Sequence, residues 1–278
     1  MKEATIRPFE TLDELRDCVR LQEETWGVGF AERVPVSVLK IAERLGGIAA
    51  GAWEPDGRLV GFVFGLTGLE HGRPVHWSDM LAVRRGVRDA GLGRRLKEYQ
   101  RERCLALGVR RCYWTFDPLE ARNAFLNLGR LGAVVREYAR DMYGRSDSPL
   151  HRGIGTDRFV ALWRLDSERV ARRLAGREGP PSSGTVRDLP QAFAVETRGD
   201  GLPVPGGVAV PDAPRFLVPV PASIQEVKAR DPELAGAWRA ATRAAMETPV
   251  ARGWEVRELL RGRLWSSYLL VRTEDEEP

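Results

Sequence analysis

In this 278-residue chain the residue types best suited to chemistry lie in Leu81-Ala-Val-Arg-Arg-Gly-Val-Arg88-Asp-Ala-Gly91-Leu-Gly93-Arg-Arg-Leu96. An apolar, strand-like run enters this stretch, arginines and glycines fill its centre, and an amphipathic segment leaves it. The first backbone N–H groups of a helix have no partner within the helix, and glycines let a ligand approach them closely, so such a loop binds an anion. The expected ligand is phosphorylated. Near it in sequence stand groups that exchange protons: Asp79 on the incoming strand, Glu70 and His71 before it, and Tyr138 and Tyr143 after it. A carboxylate or imidazole can take a proton from a reacting group, and a phenol can give one.

The elements that must position these residues follow from periodicity and turn chemistry. Ala4 to Phe9 reads as a strand, and Thr11-Leu-Asp-Glu14 is a capping box that starts a helix running to about Trp26. A second helix covers Val36 to Leu45, closed by Gly46-Gly47. Gly47 to Trp53 and Leu59 to Leu66 form a hairpin around Pro55-Asp56-Gly57. A loop through Glu70, His71 and Gly72 leads to a strand from His76 to Val83. In the helix predicted over 92–107, Leu92, Leu96, Tyr99, Ala106 and Leu107 share one face, with Arg95, Lys97, Glu98, Arg101 and Glu102 opposite and Arg103 misplaced among the apolar residues. A strand from Arg110 to Phe116, a helix from Ala121 to Leu131 ended by Gly132, and strands Val134 to Tyr138 and Phe159 to Leu165 follow, the last two separated by a loop through Tyr143 and His151. The fold class is mixed α/β (α+β) around one central sheet.

Glycine-rich loops before helices serve three ligand classes. The Walker-type loop needs a lysine and a hydroxyl after its last glycine, and neither is present. The dinucleotide fingerprint is met in part by Gly91-Leu-Gly93, with Asp117 at the end of the next strand where a ribose-binding acid belongs. Against it, Leu96 stands for the third glycine, and about seven residues separate Val83 from Gly91 where that motif turns at once. The remaining pattern, Arg88-x-x-Gly91-x-Gly93 after a strand ending Leu81-Ala-Val83, resembles the acyl-coenzyme A signature of the GNAT superfamily of N-acetyltransferases. Asn123, the apolar helix after it and Leu131-Gly132 resemble that family's later landmarks, so the resemblance covers residues 4–165.

The resemblance implies a GNAT-like mixed sheet flanked by helices and an acyl-coenzyme A donor, acetyl-coenzyme A or another acyl chain, with no metal. Its cofactor-binding positions would be Leu81, Ala82 and Val83 for the pantetheine arm, Arg88, Asp89, Ala90, Gly91, Leu92, Gly93 and Arg94 for the pyrophosphate, and Asn123 for the same arm. Arg84, Arg85, Arg94 or Arg95 would meet the remaining phosphate. Asp79 and Tyr143 are the candidate base and acid, because Leu128 stands where the family often places a tyrosine; Tyr138, Glu70, His71 and a water chain are the alternatives. The function implied is transfer of the acyl group to a small-molecule or peptide amine, the alternative being a binding or regulatory protein of the same fold without turnover.

Composition bounds the rest. A hydrophobic content of 43% supports a packed core. The net charge of +4 is small, and its arginine bias fits an anionic ligand better than a nucleic-acid surface. Cys18, Cys104 and Cys112 lie in separate segments without metal-ligand spacing, so reduced thiols in a cytoplasm are expected, with Cys112 a buried strand residue and Trp26, Trp53, Trp77 and Trp114 core residues. No apolar run has the length of a membrane helix, and a monomer or homodimer is expected. The division expected is a GNAT-like domain at 1–166, a helix and proline/glycine-rich linker or arm at 167–214, and a C-terminal α/β region at 215–278 packing on the first domain. That region reads as a strand at Arg215 to Pro219, a helix from Ile224 restarted at Asp231-Pro232 with Leu234, Trp238, Ala241 and Ala245 buried, and strands Trp254 to Leu260 and Trp265 to Val271 before the acidic tail Glu274 to Pro278. Its element order repeats that of 121–165, which a degenerate half-repeat and a common α/β arrangement explain equally well.

Overall fold

The computed structural model describes residues 4–87, 91–144, 153–181, 186 and 188–273; Arg88, Asp89, Ala90, His151, Ser182, Ser183 and the acidic tail fall outside them. The chain divides into two compact units, Met1–Trp114 with Arg164–Asp166, and Thr115–Trp163 with Ser167–Pro278.

The first unit holds strands β1 (Thr5–Pro8), β2 (Ile48–Trp53), β3 (Leu59–Glu70), β4 (Arg73–Val83) and β5 (Arg111–Phe116, its last two residues in the second unit) and helices α1 (Leu12–Trp26), α2 (Val36–Arg44) and α3 (Leu92–Ala106). Its strands lie in the order β1-β2-β3-β4-β5, antiparallel as far as β4 and parallel between β4 and β5. The capping box forms as expected: the Glu14 N–H donates to Thr11 Oγ1 at 3.2 Å and the Glu14 carboxylate accepts in return from the Thr11 N–H. Leu15, Leu21, Leu39, Phe62, Phe64 and Met80 anchor the core that α1 and α2 close over the sheet.

Two expectations for this unit are corrected. Glu70, His71 and Gly72 are not a loop: β3 runs through Glu70, which pairs with Arg73, and His71 and Gly72 make the reversal with φ of 48° and 74°. Two successive left-handed residues give the turn whose twist matches the flanking strands, so a tight hairpin replaces a loop. The buried stripe of α3 is Leu92, Leu96, Lys97, Gln100 and Cys104, whereas Ala106 and Leu107 are exposed. Rotating the stripe in this way brings Lys97 inside and leaves Arg103 in solvent, which removes the anomaly of an arginine on the apolar face.

The second unit holds α4 (Ala121–Ala124, continued by a π-helical turn at Phe125–Arg130), β6 (Val134–Ala139), β7 (Arg158–Arg164), α5 (Glu168–Leu174), β8 (Val195–Thr197), β9 (Pro203–Pro205), β10 (Arg215–Pro221), α6 (Ile224–Arg230), α7 (Pro232–Ala251), β11 (Trp254–Leu260) and β12 (Trp265–Arg272). Asp231 caps α7 by accepting from the Leu234 N–H at 2.9 Å, Pro232 follows at the first turn, and the four expected stripe residues are buried. The proline- and glycine-rich stretch packs in part: β8 and β9 pair, and Ala192, Phe193 and Leu202 are buried. The main strands lie in the order β7-β6-β11-β12-β10. Outward from the antiparallel β6–β11 contact at Val135 and Val256, β7 and β12 occupy matching places, so the repeated element order is matched by a mirrored strand order.

Gly65 lies where the β3–β4 register shifts, and a Cβ there would sit 2.6 Å from the Trp77 carbonyl and run into the His76 ring. Gly65→Ala is expected to cost about 1–3 kcal/mol by chemical denaturation, as overpacking does, despite the higher strand tolerance of alanine.

Candidate active site

β4 pairs with β5 from Val75↔Arg111 to Trp77↔Tyr113, and among the described residues no further pair continues that register, so β4 goes on to Val83 with β3 as its strand partner. Between Met80, which faces Phe64, and Ser78, which faces Gly65, Asp79 is the extra residue of a β-bulge. Residues two apart on a strand share a face unless a bulge intervenes. Ser78 meets α3, whereas Met80 belongs to the core under α1 and α2, so the bulge turns the strand over at this point. Bulge and parting together open a notch beside β4, with Leu81, Ala82 and Val83 along it.

Asp79 is exposed at this notch, and its pKa is raised first by the protein packed around it and then by the charge of Glu32. Glu70 and His71 are not near it. They sit at the hairpin that starts β4, roughly 20 Å away at about 3.3 Å per residue, where the Tyr113 hydroxyl donates to Glu70 at 2.8 Å.

α3 opens on Gly91, whose φ of 77° is left-handed and whose missing side chain leaves open space. The first turn carries no acidic residue and no side-chain cap, in contrast to α1 and α7. Gly93 faces Leu81 and Val83, so the helix start lies against the end of β4. A cavity of about 330 Å³ adjoins the β4–α3 connection, lined by Arg84, Arg85, Gly86 and Val87 with Leu21, Glu24 and Thr25 of α1 and with Arg58. Of the four arginines expected to meet phosphate, three have protein partners: Arg84 donates to the Leu59 carbonyl and pairs with Glu24, Arg94 donates to Glu98 at 2.9 Å, and Arg95 donates to the Ala4 carbonyl at 2.7 Å. Arg85 is exposed and makes no ion pair among the described residues.

A buried polar cluster that sequence reasoning missed lies at the root of the notch. Lys97 Nζ donates to Ser78 Oγ at 2.7 Å and to Gln100 Oε1 at 3.2 Å, and stands 4.0 Å from the centre of the Trp114 ring. Burial lowers the Lys97 pKa to about 8. His76 is held by Thr67 at Nδ1 and Gln100 at Nε2, both at 3.0 Å, and burial, then the Lys97 charge, lowers its pKa to about 4. Cys112 is fully buried with its thiol pushed up to about 11, the inert state expected of a core cysteine. The legible signal was the rarity of lysine itself, four in a chain rich in arginine.

In the second unit Asn123 is exposed on α4 and makes no hydrogen bond among the described residues. Leu128 is fully buried. Tyr138 donates its hydroxyl to Asp157 at 2.5 Å, and burial raises its pKa well above the usual range, which removes it as an acid. Tyr143 is exposed, with its hydroxyl 2.9 Å from Thr115 Oγ1 at the end of β5 and the Arg158 guanidinium over its ring. Asp117, the residue that a ribose would need, accepts two hydrogen bonds from Arg239 at 2.8 and 2.6 Å and a third from the Leu119 N–H. Tyr268 donates to the Pro118 carbonyl at 2.7 Å and Gln225 to Glu120 at 2.6 Å, so three C-terminal residues grip the turn that leads into α4.

A mixed sheet that parts at its parallel strand pair, with a glycine-opened helix beside it, defines a mixed α/β domain. Residues 13–129 match the model of the Acetyltransferase (GNAT) family, and over that stretch the chain carries a domain of that family. No curated protein matches the sequence. Among solved structures, the ribosomal-protein-S18-alanine N-acetyltransferase from Escherichia coli is similar at 16% identity and a TM-score of 0.47, over 59% of this chain and 95% of its own. YncA, a putative acetyltransferase from Salmonella typhimurium with its cofactor acetyl-CoA, is similar at 15% identity and a TM-score of 0.48, over 66% and 99%. Arabidopsis thaliana Naa50 in complex with a bisubstrate analogue is similar at 15% and 0.46, over 58% and 97%.

Two outcomes test this geometry. The folded state binds the Asp79 proton more tightly than the unfolded chain, so stability falls as pH climbs from the ordinary carboxylate range, about 4, through the raised value. Asp79→Asn therefore raises the melting temperature at neutral pH and leaves it unchanged near pH ~3; a lower melting temperature at neutral pH contradicts it. Arg239→Ala removes two hydrogen bonds from the buried Asp117 carboxylate and leaves it Arg158 at 3.6 Å, so it should lower the unfolding free energy by about 1–3 kcal/mol in denaturant titrations.

Proposed function

We propose that this chain is an acyl-coenzyme A dependent N-acyltransferase, with acetyl-coenzyme A the expected donor, which passes the acyl group to a small-molecule or peptide amine by direct attack on the thioester. The observation that carries the proposal is the opening of α3: a left-handed glycine, an acid-free first turn and N–H groups beside the end of β4, within a GNAT-family domain.

In this reading the N–H groups of Gly91, Leu92, Gly93 and Arg94, with Arg88, Asp89 and Ala90 before them, hold the pyrophosphate, and the helix dipole adds roughly 0.3–1 kcal/mol per exposed charge. Arg85 meets the remaining phosphate. The family resemblance assigns Leu81, Ala82 and Val83 to the pantetheine arm and adds Asn123 to it. Asp79 takes the amine proton, directly or through water, as the nitrogen attacks the carbonyl carbon. The C–S bond breaks with its electron pair on sulfur, and Tyr143 is the group assigned to return a proton to the thiolate. Leu128 favours the second reading, an acyl-coenzyme A binding or regulatory protein without turnover.

Calorimetry with acetyl-coenzyme A tests the donor side. The wild type should bind, Gly91→Glu or Gly93→Glu should abolish binding, and Arg85→Ala should weaken it by about tenfold, the loss of one charge-assisted contact. A wild type without affinity overturns the proposal. A screen of amines with thiol release as readout then separates the readings: turnover that falls in Asp79→Asn supports the transferase, and binding without turnover supports the regulatory protein.

A further inference from the structure

The last β4–β5 pair is Trp77↔Tyr113, and the next residue on each strand, Ser78 and Trp114, is the first beyond the point of parting. Lys97 bridges these two, with Nζ hydrogen-bonded to Ser78 and set over the Trp114 ring. Its ammonium therefore occupies the apex of the notch. The residue is 6% exposed and has no carboxylate partner among the described residues. Taking an ammonium out of water without a counter-charge costs several kcal/mol or shifts it toward neutrality. Hydroxyl and amide oxygens and a ring face offset part of that cost, and a net positive charge is left without a partner.

We propose that Lys97 is the cation that stabilises the coenzyme A thiolate as the C–S bond of the thioester breaks. The inference rests on the acyl-coenzyme A reading above. In the step itself the amine nitrogen attacks the carbonyl carbon, the C–S bond breaks, its electron pair stays on sulfur, and the amine proton leaves to the base. Lys97 keeps its own proton and faces the sulfur as a charge partner. In a water-poor site a fixed cation aimed where negative charge develops is worth far more than in solvent.

The surroundings fit that role. The titratable groups around Lys97 are His76 on β4, Cys112 on β5 and Cys104 on α3. His76 stays neutral between Thr67 and Gln100, and burial keeps both thiols protonated, so none of the three supplies the missing negative charge. Lysine also differs from the arginine that this chain uses almost everywhere else: a compact point charge suits a single sulfur, where the guanidinium fork suits a carboxylate or phosphate. Gln100 links the ammonium to the imidazole through its two ends, fixing Nζ toward Ser78.

The test uses coenzyme A alone and no acceptor. The thiol of coenzyme A bound to the wild type is titrated by thiolate absorbance, and its pKa should lie at least about one unit below that of free coenzyme A, as thiols beside a lysine do. Lys97→Met should return the bound thiol to the free value while still binding coenzyme A. A second measurement does not depend on that variant folding: with lysine side chains labelled, the Lys97 titration followed by NMR should rise when coenzyme A binds and stay in place with acetyl-coenzyme A, whose thioester carries no charge. An unshifted bound thiol, the same shift in Lys97→Met, or a Lys97 titration that responds equally to both ligands overturns the role of Lys97 and leaves the acyl-coenzyme A reading standing. No binding of coenzyme A to the wild type removes both.

Discussion

The parting of β4 from β5 is the constraint on which the rest of the first unit depends. A parallel pair carried to the ends of both strands would satisfy the edge of β4 and close the sheet. Here the extra residue Asp79 turns β4 over, so that Met80 and Ala82 fill the core under α1 and α2 while Ser78 stays with α3. The same event carries β4 on through Leu81 to Val83 and aims it at the glycine that opens α3. One inserted residue thus sets the notch, the exposure of its own carboxylate and the approach to the start of α3.

Charge is distributed with the same economy. Most arginines whose contacts are described are tied to carboxylates or carbonyls, among them Arg84, Arg94 and Arg95 around the loop. Pinned in this way they stiffen the walls of the site. Beside this site, Arg85 at the mouth and Lys97 at the apex have no anionic partner among the described residues, one in solvent and one buried. Their placement suits a ligand that carries phosphates at one end and develops negative charge at the other, which is the chemistry of an acyl-coenzyme A.

Local signals in the sequence were reliable where local physics decides the structure. The capping box at Thr11, the Asp231-Pro232 helix start and the left-handed Gly91 that opens α3 all act within a few residues, and each is seen in the structure. What failed to show was set by partners far along the chain. The phase of the α3 stripe depends on which side chains β4 and β5 offer, so Lys97 read as a surface residue. Asp117 matched the place of a ribose-binding acid because its partner, Arg239, lies on a helix more than a hundred positions later. His71-Gly72 read as a loop because the preference of histidine for left-handed backbone is weak, and the cross-strand pairing of Glu70 with Arg73 makes the turn. The repeated element order of the C-terminal region was visible in sequence, but only the strand order around the β6–β11 pair shows it as a spatial arrangement.

Amide hydrogen exchange with and without coenzyme A addresses the central claim most directly, because it reads the backbone groups on which the cleft is built. Ligand should slow exchange at Leu81 to Val83 and at Gly91 to Arg94, with little change at the His71-Gly72 hairpin. Protection confined to other segments, with both of those stretches unchanged, would show that the notch and the α3 start are not where the donor binds.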